Sequence, residues 1–173
     1  MSDLGFRFMT LAFKIRDFLR PRREVVKEVS IKEGFHVLDY GCGPGSYVTV
    51  VAELVGKSGK IYALDINPLA IKMVKKIAAK KQLSNVETIL SDRKTGLPDN
   101  SIDIVFLYDT FHGLSEPNIV LEELYRVLKP KGMLSFSDHH LEENEIILKV
   151  TSNGLFRLLR KGELTYSFVK EEN

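Results

Sequence analysis

The sequence predicts a doubly wound α/β sheet with an antiparallel end, and three of its features carry that prediction. From Gly34 onward, short apolar runs alternate with segments whose apolar residues recur at helical spacing. The first of these runs passes directly into the glycine-rich turn GCGPGS. The last stretch reads as a hairpin, with two alternating runs around Lys161-Gly162.

Taken in order, residues 6–19 carry a broad apolar helical face (Phe6, Met9, Phe13 with Phe8, Ala12, Ile15, Leu19). Pro21 sits where a second helix begins, running to about Val29 with Val25, Val26 and Val29 on one side. Gly34 ends the approach, and residues 37–40 form a strand. Val48, Val51, Ala52 and Val55 mark a helix that Gly56 stops. Residues 61–64 are the next strand. Asn67-Pro68 then combines an N-cap with a first-turn proline, opening a helix with Leu69, Met73 and Ile77 inward and Lys72, Lys75, Lys76 and Lys80 outward. Val86–Leu90 is a third strand, residues 95–101 a turn-rich loop, and Ile102–Tyr108 a fourth strand, apolar enough to be covered on both faces. Glu116-Pro117 opens a helix with Val120, Leu121, Leu124, Val127 and Leu128 packing, which Lys-Pro-Lys-Gly ends. Residues 133–137 are a fifth strand, residues 144–151 a short helix, and Ser152-Asn153-Gly154 a stop.

Composition bounds the function. The chain has 173 residues, 44% hydrophobic and 28% charged, consistent with one domain over 1–173: N-terminal helices over 1–30 and a sheet core over 34–173. With 25 basic against 23 acidic residues the net charge is +2, which supplies no strong field for nucleic acid or anionic membrane. No apolar run approaches the ~20 residues that span a bilayer. The first residues mix acids with bases, unlike a signal peptide. The single cysteine, Cys42, excludes an intramolecular disulfide and a multi-cysteine metal site. The expectation is a cytoplasmic globular protein.

The chemistry concentrates at the strand ends. Gly41, Gly43 and Gly45 follow the first strand, where bare backbone turns sharply and meets a ligand. Asp65 ends the second strand, placed to accept both hydrogens of a ribose diol. Ser91-Asp92-Arg93 follows the third, with a polar side chain and a backbone N–H for an adenine edge. Two adenosine ligands compete for such a set. A dinucleotide calls for G-x-G-x-x-G, yet its last glycine is replaced by Ser46, and the G-x-G-x-G spacing suits a ligand without a pyrophosphate.

With VLDYGCGPGS, YALDINPLAI, LPDNSIDIV and LYRVLKPKGMLSF in that order, residues 35–136 resemble the class I S-adenosylmethionine-dependent methyltransferases, in particular the small-molecule group known as methyltransferase type 11. The resemblance implies a Rossmann-like sheet of seven strands with the last antiparallel. It implies S-adenosylmethionine as cofactor, with Gly41, Gly43 and Gly45 along its methionine part, Asp39 near its amino group and Asp65 on the ribose. Ile66 is expected against the adenine face, Asp92 and the Arg93 backbone at the adenine edge, and Tyr108 and Asp109 near the sulfonium.

Methyl transfer from a sulfonium is an in-line displacement needing alignment, exclusion of water and, for some acceptors, removal of a proton. Candidate bases are His112 after the fourth strand and His139 and His140 after the fifth, each with a scaffold role as the competing reading. Tyr108-Asp109-Thr110-Phe111-His112 replaces the Asp/Asn-Pro-Pro-aromatic motif of many methyltransferases acting on base or glutamine amino groups, so no nucleic-acid substrate is expected. Catechol methyltransferases hold a divalent ion on acids in comparable places, but the sequence around Asp109, Asp138 and His139 does not match, and no metal is assigned. Arsenite methylation is disfavoured with Cys42 as the sole thiol. Phe6, Phe8, Phe13 and Phe18 are read either as a lid or as core, with Arg7 or Arg16 near the cofactor carboxylate, and a membrane-surface role for Arg16, Arg20, Arg22 and Arg23 is a third reading. The acceptor is expected to be a small molecule. The rival functions are a nicotinamide-dependent oxidoreductase and a non-catalytic methyltransferase-like subunit.

Overall fold

The computed structural model describes residues 22–171. The expected helix over residues 6–19, its lid and arginine roles, and Pro21 lie outside the described residues. The described residues form α1 (Arg22–Lys27), β1 (His36–Tyr40), α2 (Val48–Val55), β2 (Lys60–Asp65), α3 (Pro68–Lys81), β3 (Val86–Leu90), β4 (Ile102–Tyr108), α4 (Pro117–Val127), β5 (Leu128–Ser137), α5 (Glu143–Thr151), β6 (Phe156–Lys161) and β7 (Tyr166–Lys170). The strands make one seven-stranded sheet in the order β3-β2-β1-β4-β5-β7-β6. Neighbours from β3 to β5 pair in parallel, and β7 runs antiparallel between β5 and β6. The expected fold class, with its antiparallel last strand, is the one observed.

Alternation along each strand assigns the two layers. Val37, Ile61, Ile104 and Phe106 pack with Val25, Val26, Val51 and Val74 from α1, α2 and α3. Leu38, Leu64, Val105 and Leu107 pack with Leu121, Leu124, Ile146 and Val150 from α4 and α5 on the opposite face. The helices change face because the chain returns from the β3 edge to lay β4 on the other side of β1, and parallel crossovers keep one hand. The carboxyl ends of β1 and β4 therefore diverge into a crevice, the place where open α/β sheets take their ligands.

Three local details depart from the expected elements, and one contact joins distant parts of the chain. The inward face of α3 centres on Ala70, Ile71 and Val74, while Leu69, Met73 and Ile77 are half-buried. The Lys-Pro-Lys-Gly segment lies within β5, which begins at Leu128 opposite Ile102. Residues 129–132 then bulge out before the register resumes at Ile104–Met133. Helix α5 starts at Glu143, ahead of the expected Asn144, because Glu142 and Glu145 form a reciprocal capping box. Glu28, just past α1, clasps the β6–β7 turn: its carboxylate accepts from the backbone N–H of Glu163, Leu164 and Thr165 at 3.1, 3.0 and 3.0 Å and from Thr165 Oγ1 at 2.7 Å.

Candidate functional site

The first three residues of the glycine turn are tied to the end of β2. The N–H groups of Gly41 and Cys42 both donate to the Leu64 carbonyl, at 2.8 and 2.9 Å. Asp65 takes the N–H of Gly43 on Oδ2 and that of Asn67 on Oδ1, each at 2.8 Å. One carboxylate thus locks the turn after β1 to the cap of α3, and each oxygen keeps a further lone pair for a ligand hydroxyl. Two glycines are required here. Gly41 has φ +80°, and a Cβ on it would stand 2.2 Å from Thr110 Oγ1; Gly45 has φ +85°, with Val74 Cγ2 3.0 Å from the same added atom.

A cavity of about 370 Å³ opens over these strand ends, lined by Gly41, Gly43, Asp65, Ile66, Asp92, Arg93, Asp109 and His112 among others. Ile66 is 70% exposed there, an apolar side chain left in solvent with one face available to a flat ligand. The loop after β3 is held from below, where Tyr40 Oη donates to the Asp92 carbonyl at 2.9 Å. Its outer part is anchored by Glu123, which accepts from Thr95 N and Oγ1 at 2.8 and 2.6 Å. Arg93 bridges Asp92 and Glu116.

The remaining site residues expected from sequence sit off this wall. Gly45 is buried beneath the turn. Tyr108 is buried too, stacked on Phe106 at 4.9 Å with its hydroxyl 2.7 Å from Ser135 Oγ, so it is a core residue and not a cavity residue. Asp39 points to the α1–α3 face of β1 and is 3% exposed, with Oδ2 lacking any hydrogen-bond partner. Burial first, then the Asp65 charge, pushes its pKa up to about 7 against the opposing pull of Arg22. A buried carboxylate oxygen without a donor is costly unless something cationic arrives. That orphan, beside a glycine-rich bend and a diol-accepting acid, fits the ammonium, methionine chain and ribose of an adenosylated methionine. Burial also pushes the Cys42 thiol up, leaving it a packing residue.

A second cavity, of about 500 Å³, lies across Asp109, the residue common to both. It is lined by Arg22, Val25 and Tyr47, by Asp138 and His139, and by Leu141, Ile146, Leu164 and Tyr166 among others. Asp109 turns there at φ +49°, a left-handed conformation that Asp tolerates better than most residues, with its N–H on the Ser137 carbonyl at 2.8 Å. The three candidate histidines converge. His112 Nδ1 lies 2.9 Å from both oxygens of Asp138, whose carboxylate also accepts the His112 and His140 N–H groups at 3.0 and 3.1 Å. His139 Nδ1 lies 2.7 Å from Asp109 Oδ1. The His140 ring is 4.0 Å from each of the other two. Asp109, Asp138 and His139 bring donor atoms within 4.8 Å of one another, with protein N–H groups among their present partners.

The sequence contained each of these residues but not their pairing. His112 and Asp138 are 26 positions apart, and Asp109 and His139 are 30 apart. Only the parallel β4–β5 register, with Tyr108 opposite Ser137, brings the two post-strand segments together. Arg22 and Tyr47 become parts of a cavity only in the folded chain, where the end of α1 meets the hairpin.

Asp39 yields an expected result. On the role that the family resemblance implies for Asp39, binding of S-adenosylhomocysteine below pH 7 is coupled to release of a proton, because a cationic amino group favours the carboxylate over the acid held in the ligand-free protein. Affinity then rises by about tenfold per pH unit from about 5 towards 7 and flattens above. The ligand-free fold shows the opposite slope: a raised carboxyl pKa favours the folded acid, so stability falls as pH rises from the unfolded value near 4 through 7. Titration calorimetry in buffers of different ionisation enthalpy reads the released proton, and Asp39→Asn abolishes it.

The sequence profile of a family described as "Methyltransferase domain" matches residues 31–169. A demethylmenaquinone methyltransferase of a Geobacillus species is 30% identical over 125 residues, 72% of this chain and 53% of that protein. One from Listeria monocytogenes is 32% identical over 129 residues, 74% of this chain and 54% of its own length. The chain thus spans about half the length of these relatives. A crystal structure of a SAM-dependent methyltransferase from Aquifex aeolicus superposes with a TM-score of 0.80 at 34% identity, covering 89% of this chain and 92% of that one.

Proposed function

We propose, from the premise that this chain belongs to the class I S-adenosylmethionine-dependent methyltransferase family, that it transfers a methyl group from S-adenosylmethionine to a small-molecule acceptor. The observation that carries the reading is the convergence of three consecutive strand ends on one cavity: a bend bare of side chains after β1, Asp65 after β2, and Asp92 with Arg93 after β3. S-adenosylmethionine supplies a methyl group already activated on sulfonium. The chain's part is to hold it and to admit an acceptor. Asp65 takes the ribose hydroxyls, Ile66 covers one adenine face, the Asp92–Arg93 loop meets the adenine edge, and Asp39 answers the amino group. The acceptor enters the second cavity, which shares Asp109 with the first.

The demethylmenaquinone named for the relatives supports a small organic acceptor here. Among the described residues no helix is long and apolar enough to cross a membrane.

A melting experiment distinguishes this reading from a nicotinamide enzyme. S-adenosylmethionine and S-adenosylhomocysteine raise the melting temperature, and NAD(H) leaves it unchanged. Incubation with radiolabelled methyl donor and a fractionated extract then labels the small-molecule fraction. Protection by NAD(H) alone, or tight donor binding with no acceptor labelled in any fraction, overturns the reading in favour of an oxidoreductase or a non-catalytic subunit.

A further inference from the structure

We infer that His139, oriented by Asp109, is the proton acceptor of this site, and that the cavity it lines takes an acceptor with a phenolic or enolic hydroxyl. The inference rests on the methyl-transfer reading above and adds to it the acceptor class and the residue that activates it.

A carboxylate only accepts, so the 2.7 Å contact with Asp109 Oδ1 requires the hydrogen of neutral His139 to sit on Nδ1. Nε2 is then left with a lone pair on a ring that forms part of the second cavity's wall. Asp109 also lines the first cavity, so the base stands at the boundary between the two. The His139 side chain is 64% exposed, which gives the captured proton a route to water. Of the other histidines, His112 donates its Nδ1 to Asp138 from the first cavity, and His140 lines neither. Asp138 is buried under their N–H groups and acts as an anchor for the cluster.

The walls select the acceptor. Val25, Tyr47, Leu141, Ile146, Leu164 and Tyr166 suit an apolar, flat molecule. Imidazole and phenol differ by only about 3.5 pKa units in water, a gap that concerted transfer crosses, whereas an aliphatic hydroxyl lies far higher. In the step, the hydroxyl proton passes to His139 Nε2 while the conjugated oxygen forms its bond to the methyl carbon. The carbon–sulfur bond breaks with its electron pair going to sulfur, and the imidazolium loses its proton to water. The charged and titratable groups that touch His139 or share its cavity are Asp109 from the β4 end, Asp138, His140 and His112 beside it, Arg22 from α1, Tyr47 before α2, and Lys161, Glu163 and Tyr166 from the hairpin.

The test uses the full chain saturated with S-adenosylhomocysteine and 4-nitrophenol as probe, whose ionised form is yellow. The bound probe ionises roughly one to three pH units below the free probe, because its phenolate pairs with the His139 imidazolium. His139→Gln abolishes that shift, and Asp109→Asn reduces it while altering the tautomer read from histidine ¹⁵N resonances. Unchanged S-adenosylhomocysteine affinity in His139→Gln, and an unchanged far-ultraviolet circular dichroism spectrum in Asp109→Asn, show that both variants fold. An equal shift in His139→Gln, failure of the probe to bind the loaded protein, or loss of the shift on adding EDTA overturns the inference, the last by assigning the ionisation to a divalent cation. Failure of S-adenosylhomocysteine itself to bind is a separate result, and it removes the methyl-transfer reading together with the inference.

Discussion

Asp65→Ala weakens S-adenosylhomocysteine binding by roughly a hundred- to a thousand-fold, the loss expected when two charge-assisted hydrogen bonds to a ribose diol disappear together. Its protein partners show why the effect is this large. The carboxylate takes the Gly43 N–H on one oxygen and the Asn67 N–H on the other, so its removal also releases the glycine turn from the α3 cap. Those two N–H groups turn to water, and the variant folds with a lowered melting temperature. Asp65→Asn separates the two roles. Its one remaining oxygen still accepts a backbone N–H and keeps the turn near its place, but it grips a single hydroxyl, giving an intermediate affinity. Calorimetric titration of all three proteins checks the order. Undiminished affinity in Asp65→Ala removes the ribose assignment.

Gly41→Ala has the largest effect on the fold. Its φ of +80° is one that L residues adopt only with strain, and the added Cβ meets Thr110 Oγ1 at 2.2 Å, Cγ2 at 2.7 Å and Cβ at 3.0 Å. Left-handed strain of roughly 1–2 kcal/mol and overpacking of roughly 1–3 kcal/mol together predict a loss of about 2–5 kcal/mol in urea unfolding. Thr110 cannot simply swing aside, because its hydroxyl is bonded to the Tyr108 carbonyl at 2.9 Å. Removing that side chain in Gly41→Ala/Thr110→Ala clears two of the three contacts and leaves the φ strain, so the pair restores part of the loss and not all of it. A double-mutant cycle over these two positions reads the coupling directly. An alanine as stable as glycine shows that the turn after β1 does not pass this close to the β4 loop.

The same pair of residues shows what the sequence makes legible. Strand and helix identities follow from local signals: the Asn67-Pro68 cap, the Gly56 stop and the apolar run of β4 each determine an element without reference to the rest of the chain. The identity of the strand-end residues is equally local, which is why Gly41, Gly43, Asp65, Asp92 and Arg93 can be chosen before the fold is known; the family resemblance adds Ile66, and the cavity collects them all. What depends on register or depth is not local. The family resemblance implies a place near the sulfonium for Tyr108, yet alternation turns it into the α1–α3 core beside Phe106 and Tyr47. The bulge over residues 129–132 hides the start of β5, since a Lys-Pro-Lys-Gly segment carries the turn signals of a helix end. The His112–Asp138 and Asp109–His139 pairs exist only because β4 and β5 end level with each other. The orphaned oxygen of Asp39 is likewise a consequence of burial, which no motif reports.

The account stands on a single adenosyl site shared by three strand ends, and a crystal structure of the chain grown with S-adenosylhomocysteine tests it most directly. The predicted electron density places the ribose hydroxyls on Asp65, the adenine against Ile66 with its edge at Asp92–Arg93, and the amino group within reach of Asp39 Oδ2. Density for the ligand anywhere else on the protein, with the glycine bend and Asp65 bonded only to each other, contradicts it.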